Sequence, residues 1–234
     1  IFNMPPKILE SKAEVIEELC SLIKDLAACA IKERGSVAKL LCEGLPVIET
    51  DWSKWKLFFC DERLVPEDDP DSTFRLYSEG LLSGSTPLTK DQFVTVDTNL
   101  GVDTAASDYE SKIREFFPGS EWPTFDLLLL GVGPDGHVAS LFPGHPLLNE
   151  CQLWVAPISD SPKPPPCRVT MTLPAINHAR RCVIAVTGEE KALTVKKKLV
   201  DEDDVPCTRV NLNLAKLHGS WYWSCQKLRI EVNK

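Results

Sequence analysis

A short apolar run, Asp126 to Leu130, passes directly into Gly131-Val132-Gly133-Pro134-Asp135-Gly136-His137. A run of this length, bounded by turn residues, suits a buried strand. Its sharp end at three glycines, an Asp and a His constrains the fold strongly. In open α/β sheets, ligands bind beyond the C-terminal ends of strands, so Asp135 and His137 stand where a site is expected.

The rest of the chain repeats the alternation. Ser11 to Arg34 reads as a long amphipathic helix, with a capping-box pattern at Ser11 and Glu14 and apolar residues at helical spacing from Val15 to Ala30. Ser36 to Leu45 reads as a shorter helix. Lys56 to Cys60 suits a buried strand and Asp61 to Ser72 a polar loop. Helices are expected over Thr73 to Leu82, entered through a cap at Asp71-Ser72-Thr73, and over Asp103 to Phe117. The second has Asp103 as cap and Ala106, Tyr109, Ile113 and Phe116 on one face. Leu153 to Ile158 and Val169 to Leu173 are expected strands around the Pro-rich loop Ser161 to Pro166. Cys182 to Val186 follows as a strand, Glu189 to Leu199 as a helix and Trp221 to Ser224 as a last strand. Strands alternating with helices predict an α/β fold, a mostly parallel sheet with helices on both faces in a Rossmann-like three-layer arrangement. With no linker or internal repeat, residues 1–234 are expected to form a single domain.

Composition excludes several function classes. The net charge of −8 argues against a general nucleic-acid or anionic-membrane binder, so an anionic substrate would need a local cluster of Arg, Lys and backbone N–H groups. No stretch approaches the roughly 20 apolar residues of a membrane span. Ile1 to Lys7 lacks a signal-peptide layout. Nine cysteines without a C-x-x-C pair fit reduced, mostly buried thiols better than a disulfide framework or a zinc site.

Four segments carry chemistry. In the glycine-rich loop, His137 can take a proton from water at neutral pH. Gly131, Gly133 and Gly136 also match the dinucleotide pattern G-x-G-x-x-G, a weak match because Pro134 interrupts the turn. Without a ligand the segment would be a tight turn bearing a surface His. At Asp61-Glu62-Arg63, two carboxylates and a guanidinium at a strand end can orient hydroxyls or simply shape the loop by a salt bridge. Arg168 opens a strand beside Pro164-Pro165-Pro166, where it could grip a phosphate. Lys191 lies in the first turn of a helix, against the helix dipole, so either an anion lies nearby or the side chain reaches solvent.

Cys60-Asp61-Glu62-Arg63, Gly131 to His137 with Ser140-Leu141-Phe142-Pro143, Ser159 to Pro166 with Arg168-Val169-Thr170, and Thr187-Gly188-Glu189-Glu190-Lys191-Ala192 occur in this order. In that order they resemble the 6-phosphogluconolactonase branch of the glucosamine-6-phosphate isomerase/6-phosphogluconolactonase family, over roughly residues 8 to 223. The resemblance implies hydrolysis of 6-phosphoglucono-δ-lactone to 6-phosphogluconate in the oxidative pentose phosphate pathway, with no cofactor and no metal. The implied substrate is a small phosphorylated sugar lactone; with the reduced cysteines favouring a cytoplasmic protein and the charge arguing against nucleic acid and membrane, a cytoplasmic monomer is expected. By that analogy His137 is the general base and Asp135 orients it. Asp61, Glu62 and Arg63 lie near the sugar ring, with Gly133 and Gly136 at the reacting end. Arg168 and Lys191 hold the phosphate.

The family also carries a strand and a Ser-Gly-Gly-Ser phosphate loop between its first two helices. Here Glu33-Arg34-Gly35-Ser36-Val37-Ala38-Lys39 joins them directly, and Gly35 and Ser36 resemble the tail of that loop. Either further residues belong between Arg34 and Gly35, which the undamaged flanking motifs favour, or the protein is a natural or engineered deletion. Two other functions use the same residues: a deaminating glucosamine-6-phosphate isomerase with Asp61 or Glu62 as base, and a catalytically inactive sugar-phosphate-binding homologue.

Overall fold

Leu57 and Phe58, at the start of the apolar run, form β1 (Leu57–Phe58) and pair in parallel with β3 (Phe93–Val94). The computed structural model describes residues 41–42, 45–47, 50–84, 86–185 and 204–210. A second parallel ladder joins β4 (Leu128–Gly131) to β7 (Cys182–Ala185), with Leu128 opposite Cys182 and Gly131 opposite Ala185. β1, β4 and β7 fall on runs expected to be buried strands, whereas β3 lies in a stretch to which the sequence assigns no element. The α/β class is therefore present, built among the described residues from ladders and helices.

The third ladder is antiparallel, in the order β2 (Asp61–Arg63), β6 (Arg168–Met171), β5 (Val155–Ile158). Two features differ from the sequence expectation. Asp61 to Arg63, assigned to a polar loop, is a strand, because the β6 backbone satisfies it: Arg63 faces Arg168, and the Leu64 N–H continues onto the Cys167 carbonyl at 3.0 Å. Composition alone misses such a strand, since the ladder is made by main chain from far along the sequence. β5 and β6 are antiparallel because a short Pro-rich connection joins them, whereas parallel neighbours need a long crossover.

Helix α1 (Thr73–Leu81) begins at the expected cap, with the Ser72 hydroxyl accepting from the Arg75 N–H at 3.1 Å. Helix α2 (Val102–Phe116) starts from Gly101 with no side-chain cap, and Asp103 sits inside the first turn. There its charge still favours the positive helix end. Ala105, Ala106, Tyr109 and Ile113 face the core, but Phe116 is 41% exposed, meeting the Phe58 ring edge-on with the Lys56 ammonium over its face. Helix α2 packs on β5 and β6, and α1 on β2. Two short helices, α3 (Leu173–Asn177) and α4 (Pro206–Arg209), each carry a proline in the first turn, where a missing N–H costs nothing.

The core is aromatic. Phe58, Phe117 and Phe125 meet edge to edge or tilted on one side of β1, and Phe59, Phe74, Tyr77 and Phe93 cluster about Phe59. Trp154 is fully buried and donates its indole N–H to the Glu121 carbonyl at 2.7 Å. Glu110 of α2 accepts the Trp154 and Val155 N–H groups at 2.9 and 3.1 Å, which pins β5 to the helix. The buried Tyr109 hydroxyl makes a second such stitch, accepting from the Phe59 N–H at 2.7 Å and donating to the Phe59 carbonyl at 3.0 Å.

The expected helices at 11–34 and 189–199, the strand at 221–224, the Arg34–Gly35 junction, and Gly35, Ser36 and Lys191 lie outside the described residues, as does most of the helix expected at 36–45. Among the described residues no helix is long and apolar enough to cross a membrane. Cys60, Cys151, Cys167 and Cys182 are free thiols. Cys151 is exposed and Cys207 buried, so the expected burial of the cysteines holds unevenly.

Tyr109→Phe should lower stability by about 1–3 kcal/mol, because it leaves the buried Phe59 backbone groups without partners while the ring still fills its site. An unchanged denaturant midpoint would show that the stitch contributes nothing.

Candidate active site

Beyond β4 the chain closes a tight turn on itself. The Gly133 N–H donates to the His137 carbonyl and the Gly136 N–H to the Gly133 carbonyl, both at 2.9 Å. Gly136 has φ +86°, the left-handed region that glycine enters without steric cost. Gly133 is required for space instead: a Cβ there would stand 1.9 Å from His137 Cε1 and 2.1 Å from Nδ1. No helix follows Gly136; the chain continues through a bridge between Val138 and Leu141 to a 3-10 turn at Pro146–Asn149. Dinucleotide sites need a helix N-terminus there for the pyrophosphate, so the G-x-G-x-x-G match is only a turn.

The turn sets the imidazole against a carboxylate. His137 Nδ1 lies 2.5 Å from Asp135 Oδ1, and the ring packs on Phe142 at 4.8 Å between centroids. Lys163, from the Pro-rich loop, donates to the same Asp135 oxygen at 3.2 Å and stands 3.2 Å from His137 Nδ1. The Asp135 carboxylate can only accept, so the 2.5 Å contact requires Nδ1–H to donate to it, and the Lys163 ammonium donates to Asp135 rather than to Nδ1. Nε2 is then the basic nitrogen. Burial holds the His137 pKa below the usual 6.5; the Asp135 carboxylate opposes this and the Lys163 charge adds to it. For Asp135, burial works upward, but the His137 hydrogen bond and the His137 and Lys163 charges bring it down to about 2. A neutral imidazole beside a carboxylate at neutral pH is competent to take a proton from water.

A second cluster forms where β2 and β6 face each other. Arg168 is 3% exposed. Its Nε donates to the Pro165 carbonyl (3.0 Å), its Nη2 to the Lys163 and Pro164 carbonyls (2.9 and 3.1 Å), and its Nη1 to the Ser140 hydroxyl (3.3 Å). Ser140 donates in turn to Asp61 Oδ2 at 2.7 Å, and its N–H reaches the Thr170 hydroxyl at 3.2 Å. Arg63 Nη1 donates to the Asp71 carbonyl at 2.9 Å, while its buried Nε has no hydrogen-bond partner among the described residues. Glu62 turns the other way. Its carboxylate accepts the Arg63, Thr73 and Phe74 N–H groups at 2.7–2.8 Å, on the positive end of α1. Burial pushes its pKa up, against the lowering by those backbone donors.

Asp135 and His137 are thus in direct contact, and Asp61, Arg63 and Arg168 gather in the neighbouring cluster. Four residues are engaged otherwise than expected. Glu62 accepts two N–H groups from the first turn of α1 and one from Arg63 of β2, so its carboxylate is already hydrogen-bonded. Arg168 is wrapped by loop carbonyls, so its fork is engaged before any phosphate arrives. The Gly133 and Gly136 N–H groups close the turn and are not open donors. Two residues in the recognised motifs acquire a place that spacing did not give them: Lys163 beside His137 and Ser140 between Asp61 and Arg168. Nothing local announces either, because each meets its partner across more than twenty residues. Among the described residues no group of three or more His, Cys, Asp and Glu could hold a metal ion.

A model of the family described as glucosamine-6-phosphate isomerases/6-phosphogluconolactonase matches residues 10–223. The human protein named 6-phosphogluconolactonase is 44% identical over 214 residues, which cover 85% of this chain and 83% of that one. A rice protein named probable 6-phosphogluconolactonase 4, chloroplastic, is 39% identical, covering 83% of this chain and 66% of that one. Among solved structures, 6-phosphogluconolactonase from Trypanosoma cruzi matches with a TM-score of 0.65 at 30% identity over 90% of this chain and 91% of that one. The Thermotoga maritima 6-phosphogluconolactonase matches with a TM-score of 0.68 at 27% identity over 87% and 93%.

Gly133→Ala should displace the His137 ring and cost about 1–3 kcal/mol, as overpacking does when a neighbour must move. Unshifted His137 imidazole resonances together with an unchanged melting temperature would refute the close approach.

Proposed function

The chain belongs to the family of glucosamine-6-phosphate isomerases and 6-phosphogluconolactonases, and from that premise we propose that it hydrolyses 6-phosphogluconolactone to 6-phosphogluconate in the pentose phosphate pathway. The Asp135–His137 pair carries this reading within the family: it leaves Nε2 as a base in a site whose imidazole stays neutral. Water attacks the lactone carbonyl as Nε2 takes its proton. When the tetrahedral intermediate collapses, the bond to the ring oxygen breaks and Nε2–H returns the proton to that oxygen. Asp135 fixes the tautomer and stabilises the imidazolium between the two steps.

The charge that develops on the carbonyl oxygen needs a donor aimed at it. With the Gly133 and Gly136 N–H groups engaged in the turn, we assign this to Arg63, whose Nε has no partner among the described residues. Asp61 lies near the sugar ring by the same assignment. Phosphate binding falls to Gly35, Ser36 and Lys191 rather than to Arg168, because the Arg168 fork is taken up by the Pro-rich loop. A deaminating isomerase would need a carboxylate free to remove a carbon-bound proton; Glu62 is held by α1 and Asp61 by Ser140, which favours the hydrolase. The single family match supports one domain. The free thiols and the net charge of −8 support a cytoplasmic protein acting on a small molecule, without nucleic acid or membrane, and we take it to act as a monomer.

Proton release on adding freshly prepared 6-phosphogluconolactone, corrected for spontaneous hydrolysis, should be rapid, and His137→Ala should slow it about 10²–10⁴-fold. Release no faster than background from folded protein would reject the lactonase. Because the base works unprotonated and its pKa is held down, kcat/KM should be flat at neutral pH and fall only on acidification through a midpoint below 6.5. A midpoint above 6.5 would show that the imidazole is not held neutral in this way.

A further inference from the structure

We propose that Lys163, its loop held by Arg168, is a positioning residue for the reaction, its ammonium standing beside Nδ1 of the imidazole so that the proton taken from water passes on to the leaving oxygen. The inference rests on the lactonase reading and adds a residue to it. Three observations carry it. Lys163 Nζ lies 3.2 Å from both Asp135 Oδ1 and His137 Nδ1, the ring nitrogen that is not the base. Its contacts are to Asp135 and Nδ1, so its role is on the base. The loop bearing Lys163 is held at three consecutive carbonyls, those of Lys163, Pro164 and Pro165, by the buried Arg168 guanidinium. The Ser161 hydroxyl fixes the same turn, donating to the Lys163 carbonyl at 2.8 Å. A lysine meant for solvent would not be seated this way.

The chemistry follows from charge. In the resting site the ammonium and Nδ1–H share one carboxylate oxygen, which orders Asp135 against the ring. After attack, Nε2 has gained a proton, and the imidazolium then faces a second cation at close range. Asp135 balances one of the two charges. The other repulsion favours transfer of the Nε2 proton to the ring oxygen as the carbon–oxygen bond breaks, which regenerates neutral imidazole and the hydroxyl of the open acid. Of the described charged groups, those facing His137 are Asp135 from its own loop, Asp61 from β2 and Lys163 from the Pro-rich loop, with the neutral Phe142 ring packed on it.

The test is an NMR titration of the His137 imidazole in the substrate-free protein, together with kcat and KM against pH, for wild type, Lys163→Met, Lys163→Gln and Lys163→Arg. Removing the charge should move the His137 midpoint and the acid limb of kcat/KM upward together, by on the order of half a pH unit. It should lower kcat about tenfold with KM changed less than about twofold. Lys163→Arg should restore the midpoint. Arg168→Lys, which keeps a cation but cannot span three carbonyls, should move the His137 midpoint in the same direction as Lys163→Met. An unmoved His137 midpoint in folded Lys163→Met and Lys163→Gln overturns the proposal. So does a KM raised tenfold or more with kcat and the acid limb unchanged, which would make Lys163 a substrate contact. A wild-type protein that titrates as described but releases no protons from the lactone would reject the lactonase reading alone and leave the coupling of Lys163 to His137 established.

Discussion

A guanidinium buried to 3% exposure is the interaction on which the arrangement of the site depends. Burying an unsatisfied cation costs several kcal/mol, so the surroundings of Arg168 must close on it. They do so from three directions: carbonyls of the Pro-rich loop at Nε and Nη2, the Ser140 hydroxyl at Nη1, and the Asp61 carboxylate beyond Ser140. β2, β6, the loop after β4 and the loop between β5 and β6 thereby share one polar network. Partial satisfaction would be worse than an apolar core, which makes the network strongly selective for one geometry.

The network also explains why neighbouring charged residues in one motif divide their labour. Asp61, Glu62 and Arg63 alternate across β2, as side chains on a strand must. Glu62 points to the side where α1 begins and accepts the Thr73 and Phe74 N–H groups there. Asp61 and Arg63 point to the other side, toward Ser140 and Arg168. A helix terminus is thus tied to the rear of the strand whose front builds the cluster. The glycine turn achieves comparable stiffness by other means, since its own backbone bonds and the contact between Gly133 and the imidazole leave His137 little freedom.

Much of this was legible along the chain. The apolar run before the glycine turn placed β4 and the position of Asp135 and His137 beyond it, because short buried strands and tight turns announce themselves by local composition. Ser72 as the cap of α1 was equally readable, since capping is a contact over three residues. The strand at Asp61–Arg63 was not: its residues are polar and its ladder is supplied by β6, a hundred residues on. Neither was the true setting of Arg168, whose partners are carbonyls, invisible to residue identity. Asp103 misled in a smaller way, because an acidic residue favours the first turn and the cap position for the same electrostatic reason.

The sequence by itself determined the α/β class, the family and the pairing of Asp135 with His137, all consequences of local spacing or of motifs kept in order. Only the tertiary structure decided that Lys163 stands beside Nδ1 of the imidazole, that Ser140 bridges Asp61 and Arg168, and that Glu62 faces a helix instead of the site. Those outcomes require segments distant in sequence to be brought within about 3 Å of each other. The direction a side chain takes on arrival is set by which buried polar groups most need a partner, and that is fixed only when the whole core has closed.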